Sequence, residues 1–286
     1  MPECPEVLIT AQFLNAILKN IKLIDIVLPN VKNSKIKNFK KFYDNNNTLL
    51  YSVQSKGKFM WFSFINDLNE YNYCACTFGL TGYWIISNDL IKNSRIKFIF
   101  DNYTLQYVDQ LNFGSISFFN NLNYINDKIK KLAPDVIQSN MTDNEMFDYI
   151  KHKIKICKNN KKIIEILMDQ HFLFSGIGNY LVSEILYYAK ISPHKVFKFL
   201  NDTELSNLIV SIKKICKTMY VNNFSDYIKF KNTINSFFFN YYPNVSIINN
   251  YTYNVYNQSR DKHGYSVIKE SIVKDRFAYW VRELQF

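Results

Sequence analysis

The chain has 286 residues, more than one compact domain usually contains, so two domains with separate cores are expected. Hydrophobic residues make up 48% of it, and Gly and Pro number only 7 and 6, which excludes collagen-like and intrinsically disordered proteins. The 35 Lys and Arg against 24 Asp and Glu give a net charge of +11 and favour a polyanionic partner, although an AT-rich genome produces a similar bias.

Cysteine spacing and hydropathy exclude further classes of protein. The five cysteines form no Cys-x-x-Cys pair, so neither a disulfide framework nor a thiolate zinc site is expected. No signal-peptide pattern opens the chain, and no apolar run reaches the roughly 18 to 20 residues of a membrane span. These features predict a soluble, intracellular protein.

The chain reads as a leading helix, a β-rich region, a helical region and a β-rich end. Apolar spacing predicts a first helix over 7–18. Strands are predicted at 49–53, 59–65, 73–77, 83–86, 96–100, 103–108 and 116–119. Helices are predicted at 144–156, 163–170, 179–189 and 203–221, and a last hairpin around 261–264. We expect domains at 1–135, 136–250 and 251–286, the first a β-sandwich or barrel.

The opening residues offer an amine nucleophile. A small second residue permits removal of Met1, which leaves the secondary amine of Pro2 as the N-terminus. An α-amino group titrates near pH ~8, so part of it is unprotonated at neutral pH and able to form a Schiff base with a sugar aldehyde. Glu3 and Glu6 lie close enough along the chain for proton transfer. Pro and Glu are, however, also ordinary residues at a helix start.

Two later segments carry candidate contacts to a polyanion. Lys58 stands just before an apolar strand, where its ammonium is placed to meet a phosphate or to act in proton transfer as a catalytic residue, although a solvated strand-end lysine is the ordinary alternative. Leu80 lies between Gly79 and Gly82 in a turn whose apolar tip suits insertion between stacked bases. A buried loop anchor is the plainer alternative for Leu80.

The segment 167–186 reads as helix, turn, turn, helix. Gly176 and Gly178 allow backbone amides to approach an anion, and a helix that starts at Asn179 offers its positive end to phosphate. An interhelical turn with glycine caps explains the glycines but not the whole string.

In order and spacing, these motifs resemble the family of formamidopyrimidine-DNA glycosylase and endonuclease VIII. The matching positions are Pro2, Glu3, Glu6, Gly57-Lys58, 78–82, Asp169-Gln170, 176–180, Glu184 and 191–194. The resemblance implies an α+β fold of two domains, an N-terminal β-sandwich with a leading helix and a C-terminal helical domain with a helix-two-turns-helix motif. It implies a bifunctional DNA glycosylase and AP lyase of base excision repair that forms a Schiff base at Pro2 and cuts by β,δ-elimination.

The resemblance also implies a role for each matching residue. Pro2 is the nucleophile, Glu3 the proton donor and Glu6 an active-site support. Lys58 and Asn179, with the Gly178 turn, bind the phosphates that flank the lesion.

Two departures from the family pattern matter. Arg260, His263, Val281 and Leu284 fall where the family has four zinc-binding cysteines, and of these only His263 is a zinc ligand. The resemblance therefore implies a zincless finger, with Arg276 retained at the tip of its hairpin.

Leu111 replaces a frequent arginine two residues before Phe113. Filling the void left by a flipped nucleotide then falls to Leu80, Leu111 and Phe113, which leaves opposite-base discrimination open.

The resemblance as a whole implies an enzyme that acts as a monomer on double-stranded DNA with a damaged base or abasic site, favours oxidised pyrimidines or hydantoins, and needs no metal or cofactor. A noncatalytic nucleic-acid-binding protein is the main alternative, and a structural or partner-binding role is a third. Pro2 and Glu3 argue against a noncatalytic nucleic-acid-binding protein. The set of Lys58, Asn179 and Arg276 argues against a structural or partner-binding role.

Overall fold

The computed structural model describes residues 1–29, 35–39, 47–225, 241–273 and 276–286. The chain divides into two compact units. The first contains Met1–Pro2 and Glu6–Lys131, and the second contains Glu3–Pro5 and the described residues from Leu132 onward. Within the described ranges, no helix is both long and apolar enough to cross a membrane.

A leading helix, α1, spans Cys4–Leu18 and so starts three residues before the predicted helix. Its apolar face is buried through Val7, Leu14 and Leu18. Its polar face also makes a specific contact, because the Asn15 side chain accepts the backbone N–H of Val53 at 2.9 Å. The helix is therefore fixed to the strands of the first unit by both packing and a hydrogen bond.

The described part of the first unit contains nine strands in two sheets. They are β1 (Leu23–Val27), β2 (Ile36–Lys37), β3 (Leu49–Lys56), β4 (Phe59–Ile65), β5 (Tyr71–Thr77), β6 (Tyr83–Ile86), β7 (Ser94–Phe100), β8 (Thr104–Val108) and β9 (Ser115–Phe119). One sheet has the order β1-β7-β8-β6 and the other the order β2-β9-β5-β4-β3. The predicted sandwich is confirmed, while the short strands β1 and β2 were not predicted.

Aromatic side chains join the two sheets into one core. Phe62 and Phe64 of β4 stack on Phe98 of β7, with ring centroids 5.8 and 6.0 Å apart. Phe62 also meets Trp84 of β6 edge to face at 5.0 Å. Such pairs add about 0.5–1.5 kcal/mol each beyond the burial of their area. The sandwich is thus a rigid support for the turns between its strands.

The helices of the described chain beyond the sandwich are α2 (Asn123–Lys131), α3 (Asp143–Ile156), α4 (Ile163–Met168), α5 (Asn179–Ala189) and α6 (Asp202–Ser225). The sequence predicted all of these except α2, which closes the first unit. The start of α3 is fixed by a capping box in which Thr142 and Glu145 bond each other's backbone. Helix α5 is buried over most of its length and forms the centre of the second unit.

The second unit ends in an antiparallel hairpin of β10 (Ile268–Val273) and β11 (Arg276–Trp280). The sequence predicted a hairpin around 261–264, where the structure has a tight antiparallel turn with one isolated bridge, between Arg260 and Ser266. The longer strand pair lies later in the chain, at β10 and β11. Apolar and aromatic residues are denser in 268–280, which is why the extended ladder forms later in the chain.

Candidate active site

Glu3 is the most completely enclosed of the candidate catalytic residues. Its side chain is only 1% exposed. One carboxylate oxygen accepts the backbone N–H of Gly178 at 2.6 Å, and the other accepts that of Tyr180 at 3.0 Å. A third N–H, from Leu181, lies 3.3 Å from the first oxygen. The first amides of a helix have no partner within it and carry its positive end, so Glu3 caps α5.

The turn before α5 is built to present those amides. The side-chain oxygen of Gln170 accepts the N–H of Gly176 at 2.7 Å, and its nitrogen donates to the carbonyl of Ile177 at 2.8 Å. Gly176 has a φ of 110°, a conformation that only glycine adopts without strain. The carbonyl of Gly176 in turn accepts the N–H of Cys4 at 3.1 Å. The turn therefore holds both the Glu3 carboxylate and the backbone of the residue that follows it.

Cys4 follows Glu3 and is equally buried. Burial, and then a hydrogen bond to Cys216, raises the pKa of the Cys4 thiol well above its usual value. The thiol is therefore protonated at neutral pH and packs as a small apolar group. All five cysteines of the chain are free.

The two DNA-contact candidates at the start of α5 are placed differently. The backbone N–H of Gly178, expected to bind phosphate, is donated instead to Glu3. Asn179 remains half-buried, and its side-chain oxygen is buried without a hydrogen-bond partner among the described residues. Burial, then repulsion from Tyr279 and Glu3, raises the pKa of Tyr256, while its hydrogen bond to Asn179 opposes this. Tyr256 is thus a neutral hydroxyl close to the carboxylate.

Lys58 lies in the tight turn between β3 and β4. Gly57, the preceding residue, has a φ of 59°, as the first position of a two-residue hairpin turn often requires. Lys58 itself is half-buried. Its neighbour Lys56 is tied down, because its ammonium donates to the carbonyl of Ile129 at 3.0 Å. The turn fixes where the Lys58 side chain leaves the sandwich.

A buried carboxylate joins the two loops that carry the void-filling candidates. Asp109 has no exposed surface. It accepts the hydroxyl of Thr81 at 2.6 Å and the backbone N–H of Gly114 at 2.8 Å. The same hydroxyl accepts the N–H of Leu111 at 3.1 Å. These bonds hold the loops 78–82 and 109–114 to each other. This role of Asp109 was not predictable from the sequence, because its partner Thr81 lies in a separate loop.

Close packing of the backbone makes this connection between the loops rigid. A Cβ on Gly79 would lie 2.5 Å from the backbone nitrogen of Gly114, so no larger residue fits there. The tips of the two loops are in contrast open to solvent. Leu80, Leu111 and Phe113 are 42%, 48% and 56% exposed. The structure thus brings together the three apolar side chains that the sequence assigned to void filling.

Arg276 is the first residue of strand β11, where it pairs with Val273 of β10. Its strand is connected to the start of α5 by a series of aromatic contacts. The ring centroids of Tyr180 in α5 and Tyr256 are 6.1 Å apart, and those of Tyr256 and Tyr279 in β11 are 5.2 Å apart. Within the second unit, Arg276 is therefore on the same packed scaffold as the amides that hold Glu3.

A second buried carboxylate supports that scaffold. Glu184 in the middle of α5 has no exposed surface. It accepts the backbone N–H groups of Asn254, Val255 and Tyr256 at 3.0, 3.0 and 2.9 Å, as well as the hydroxyl of Tyr251. The sequence matched Glu184 to a family motif but assigned it no role. An acidic residue inside an apolar helix was the signal for such a role.

The four positions expected to replace zinc-binding cysteines do not fit a zinc ion. Val281 is fully buried in an apolar cluster, and Leu284 packs against that cluster. The guanidinium of Arg260 donates to the carbonyl of Gly264 at 2.7 Å. Tetrahedral zinc needs nitrogen, sulfur or carboxylate ligands, and His263 alone has one. Across the described ranges, no three His, Cys, Asp or Glu side chains group as a metal site would require.

Comparison with known families and proteins agrees with this arrangement. Residues 1–116 match the profile of the formamidopyrimidine-DNA glycosylase N-terminal domain, and residues 132–223 match that of the formamidopyrimidine-DNA glycosylase H2TH domain. Proteins named formamidopyrimidine-DNA glycosylase from Prochlorococcus marinus strain MIT 9301 and Rickettsia bellii strain OSU 85-389 are 31% and 30% identical to the chain. These matches cover 76% and 75% of this chain and 79% and 76% of the relatives.

Two solved structures of the Lactococcus lactis formamidopyrimidine-DNA glycosylase share the fold. The first holds DNA with an abasic site and superposes with a TM-score of 0.77, at 19% identity over 99% of both chains. The second holds DNA with a formamidopyrimidine lesion of guanine and has a TM-score of 0.74, at 18% identity and the same coverage.

Proposed function

The chain belongs to the formamidopyrimidine-DNA glycosylase family of DNA N-glycosylases, and from this premise we propose that it excises oxidised bases and then cuts the strand through the amine of Pro2. The observation that carries the proposal is the buried carboxylate of Glu3, held by three backbone N–H groups at the start of α5. Glu3 follows Pro2 directly in the chain, so the fixed carboxylate is adjacent to the proposed nucleophile.

The hydrogen bonds of Glu3 define its part in the proposed reaction. Because both oxygens accept backbone N–H groups, the resting side chain is stabilised as a carboxylate. Glu3 must therefore take up a proton before it can donate one. The protonated amine of mature Pro2 is the adjacent source, and its deprotonation leaves the lone pair that attacks the sugar. Glu3 then passes this proton to the ring oxygen of the sugar.

In the proposed sequence, the nitrogen of Pro2 attacks C1′ and the glycosidic bond breaks, so the damaged base leaves with its electron pair. Loss of the remaining N–H proton and opening of the sugar ring then yield an iminium ion between Pro2 and C1′, because proline is a secondary amine. Loss of a C2′ proton expels the 3′ phosphate in β-elimination, and a second proton loss expels the 5′ phosphate in δ-elimination. These steps move only protons and leaving groups, and they require no metal or organic cofactor. Glu6 supports the developing iminium ion.

The remaining site residues are proposed to hold the DNA. Lys58, Asn179 and Arg276 bind phosphates around the extruded nucleotide, where cationic and amide groups replace released counterions. For Asn179 the donor to phosphate is its side-chain amide nitrogen, because its buried oxygen can only accept a hydrogen bond.

Leu80 and Leu111, with Phe113, are proposed to occupy the void in the duplex. Their exposure and their rigid loops support this role. The substrate we propose is double-stranded DNA with an oxidised pyrimidine, a hydantoin or an abasic site, bound by a monomer.

A set of duplexes that each carry one defined lesion tests the proposal. We expect excision of oxidised pyrimidines and hydantoins, with a 5′-labelled strand that ends in a 3′ phosphate, the product of β,δ-elimination. A strand that ends in an unsaturated aldehyde would limit the enzyme to β-elimination. Tight binding to every duplex without any product would instead favour a noncatalytic DNA-binding protein.

A further inference from the structure

Asp261 is a buried carboxylate at the start of a tight turn. It is 7% exposed. One oxygen accepts the hydroxyl of Tyr187 at 2.8 Å, and the other accepts the backbone N–H of His263 at 2.9 Å and of Tyr265 at 2.8 Å. Two backbone bonds close the same turn, from Asp261 to the carbonyl of Tyr265 and from Gly264 to that of Asp261. The turn 261–265 is thus wrapped around one carboxylate and attached to α5.

The ring of Tyr187 lies in a buried apolar cluster at the C-terminal side of β11. The other members are Val255, Tyr279 and Val281, and Leu284 packs against them. Tyr187 therefore contacts two limbs of the C-terminal segment. Its hydroxyl holds the limb that contains the 261–265 turn, and its ring holds the limb that follows β11.

These two limbs are the ones that a zinc ion would have to join. Arg260 and His263, the expected ligand positions of the first limb, lie at the turn around Asp261, and Val281 and Leu284 belong to the second. Because the four side chains do not provide a ligand set, the connection must come from other atoms. Tyr187, from outside the hairpin, supplies one.

We propose that the hydrogen bond between Tyr187 and Asp261 replaces zinc as the link between the two limbs of the hairpin, and that both are positioning residues for Arg276. Arg276 lies three residues before Tyr279 on β11, which packs against the Tyr187 ring, and the hydroxyl bond to Asp261 fixes the position of that ring. The inference rests on the proposed function, in which Arg276 binds phosphate and the hairpin has no metal.

The protonation states agree with a charge-assisted bond. Burial opposes ionisation of Asp261, but the Tyr187 hydroxyl and the N–H groups of Tyr265 and His263 outweigh it and lower the pKa of Asp261. Burial, followed by the hydrogen bond to Asp261, raises the pKa of Tyr187. At neutral pH a carboxylate therefore accepts a bond from a neutral phenol, the stronger class of hydrogen bond.

The test compares Tyr187→Phe and Asp261→Asn with the wild type, each also in an Arg276→Ala background. Tyr187→Phe keeps the ring in the cluster and removes only the hydroxyl. Tyr188→Phe is the matched control, since Tyr188 lies on the same helix and has no assigned role. Loss of one hydrogen bond to a charged group predicts a fall in excision of about tenfold to a hundredfold in Tyr187→Phe.

The Arg276→Ala background separates positioning from a general loss of stability. If Tyr187 acts through the arginine, Tyr187→Phe should lower excision no further once Arg276 is absent, while its effect on the melting temperature persists. Equal losses in both backgrounds would overturn the positioning role. So would wild-type excision by Tyr187→Phe.

A second measurement does not depend on activity. Hydrogen exchange of the backbone N–H groups of His263 and Tyr265 should be faster in Tyr187→Phe than in Tyr188→Phe, because the Asp261 carboxylate loses its anchor. Unchanged exchange would overturn the link. Two measurements on the wild type distinguish failure of this inference from failure of the proposed function. Stoichiometric zinc by metal analysis would overturn both the Tyr187–Asp261 link and the metal-free hairpin. Absence of borohydride trapping would refute only the proposed chemistry at Pro2.

Discussion

Replacing Glu3 by Gln would change one carboxylate oxygen into an amide nitrogen and leave the size of the side chain unchanged. In the wild type, both oxygens face N–H donors, from Gly178 at 2.6 Å and Tyr180 at 3.0 Å. An –NH2 group in either position meets another donor. The substitution thus removes at least one hydrogen bond, leaves a buried donor unpaired, and takes the negative charge from the N-terminus of α5.

The expected cost follows from these losses. A hydrogen bond to a charged group contributes about 1.5–3 kcal/mol, and a charge at a helix end about 0.3–2 kcal/mol. A loss of about 2–4 kcal/mol in the free energy of unfolding is therefore expected, or about 4–16 °C in melting temperature at about 2–4 °C per kcal/mol. A proton-transfer group contributes about 10²- to 10⁴-fold in rate, so excision should fall by that factor.

The assay measures two single-turnover rates at a temperature where the variant is folded. One is excision from a lesion duplex, and the other is cleavage of the same duplex with a preformed abasic site. Glu3→Gln should slow excision far more than cleavage, because only excision requires a base to leave. Glu145→Gln, which removes a carboxylate from the cap of α3, is the control and should leave both rates near wild type.

Two results would refute this reasoning. Equal losses in both rates would mean that Glu3 only maintains the fold of the site. A melting temperature within 1 °C or so of wild type, well below the shift expected for a lost charged hydrogen bond, would mean that the carboxylate does not hold α5.

Arg276→Ala should strongly reduce excision from duplex DNA with little change in melting temperature, and wild-type excision would refute its phosphate contact. Lys58→Ala should weaken binding to all lesions and reduce the salt dependence of binding by about one counterion, whereas an unchanged slope would mean that Lys58 touches no phosphate. Leu80→Ala and Leu111→Ala should impair duplex substrates more than single strands, because only a duplex restacks, and equal impairment would argue against void filling. Because the pKa of Asp261 is lowered, its stabilisation is present above the unfolded value of about 4 and is lost as the pH falls through the folded value. The difference in unfolding free energy between wild type and Asp261→Asn should therefore shrink on acidification below about pH 4, and a constant difference would contradict this.

Elements with strong apolar runs could be predicted from the sequence almost to the residue. Strand β4 and helix α5 have the predicted bounds, because most of their side chains are buried. The elements missed were those with little buried surface. Strand β1 buries only Leu23 and Ile26, and helix α2 buries only Ile125 among lysines and polar residues. Such segments are held by their neighbours, and their own pattern does not specify them.

The long-range hydrogen bonds of the site could not be predicted from the sequence either. The sequence singled out Glu3 from its spacing to Pro2, but it could not show that Glu3 caps a helix 175 residues away. It placed Asp261 in a polar turn of the kind that is usually solvated, and a buried carboxylate there depends on the distant hydroxyl of Tyr187. Local patterns identify residue types with chemical capacity, whereas long-range hydrogen bonds decide which of them are fixed in place.

The central claim is that the amine of Pro2 forms the covalent link to DNA. The most direct test is borohydride trapping on an abasic-site duplex by two preparations, one whose mature N-terminus is Pro2 by intact mass and one with an extra residue before it. We expect a stoichiometric adduct with the first, mapped by mass spectrometry to Pro2, and none with the second. Full trapping by the extended protein would contradict the account.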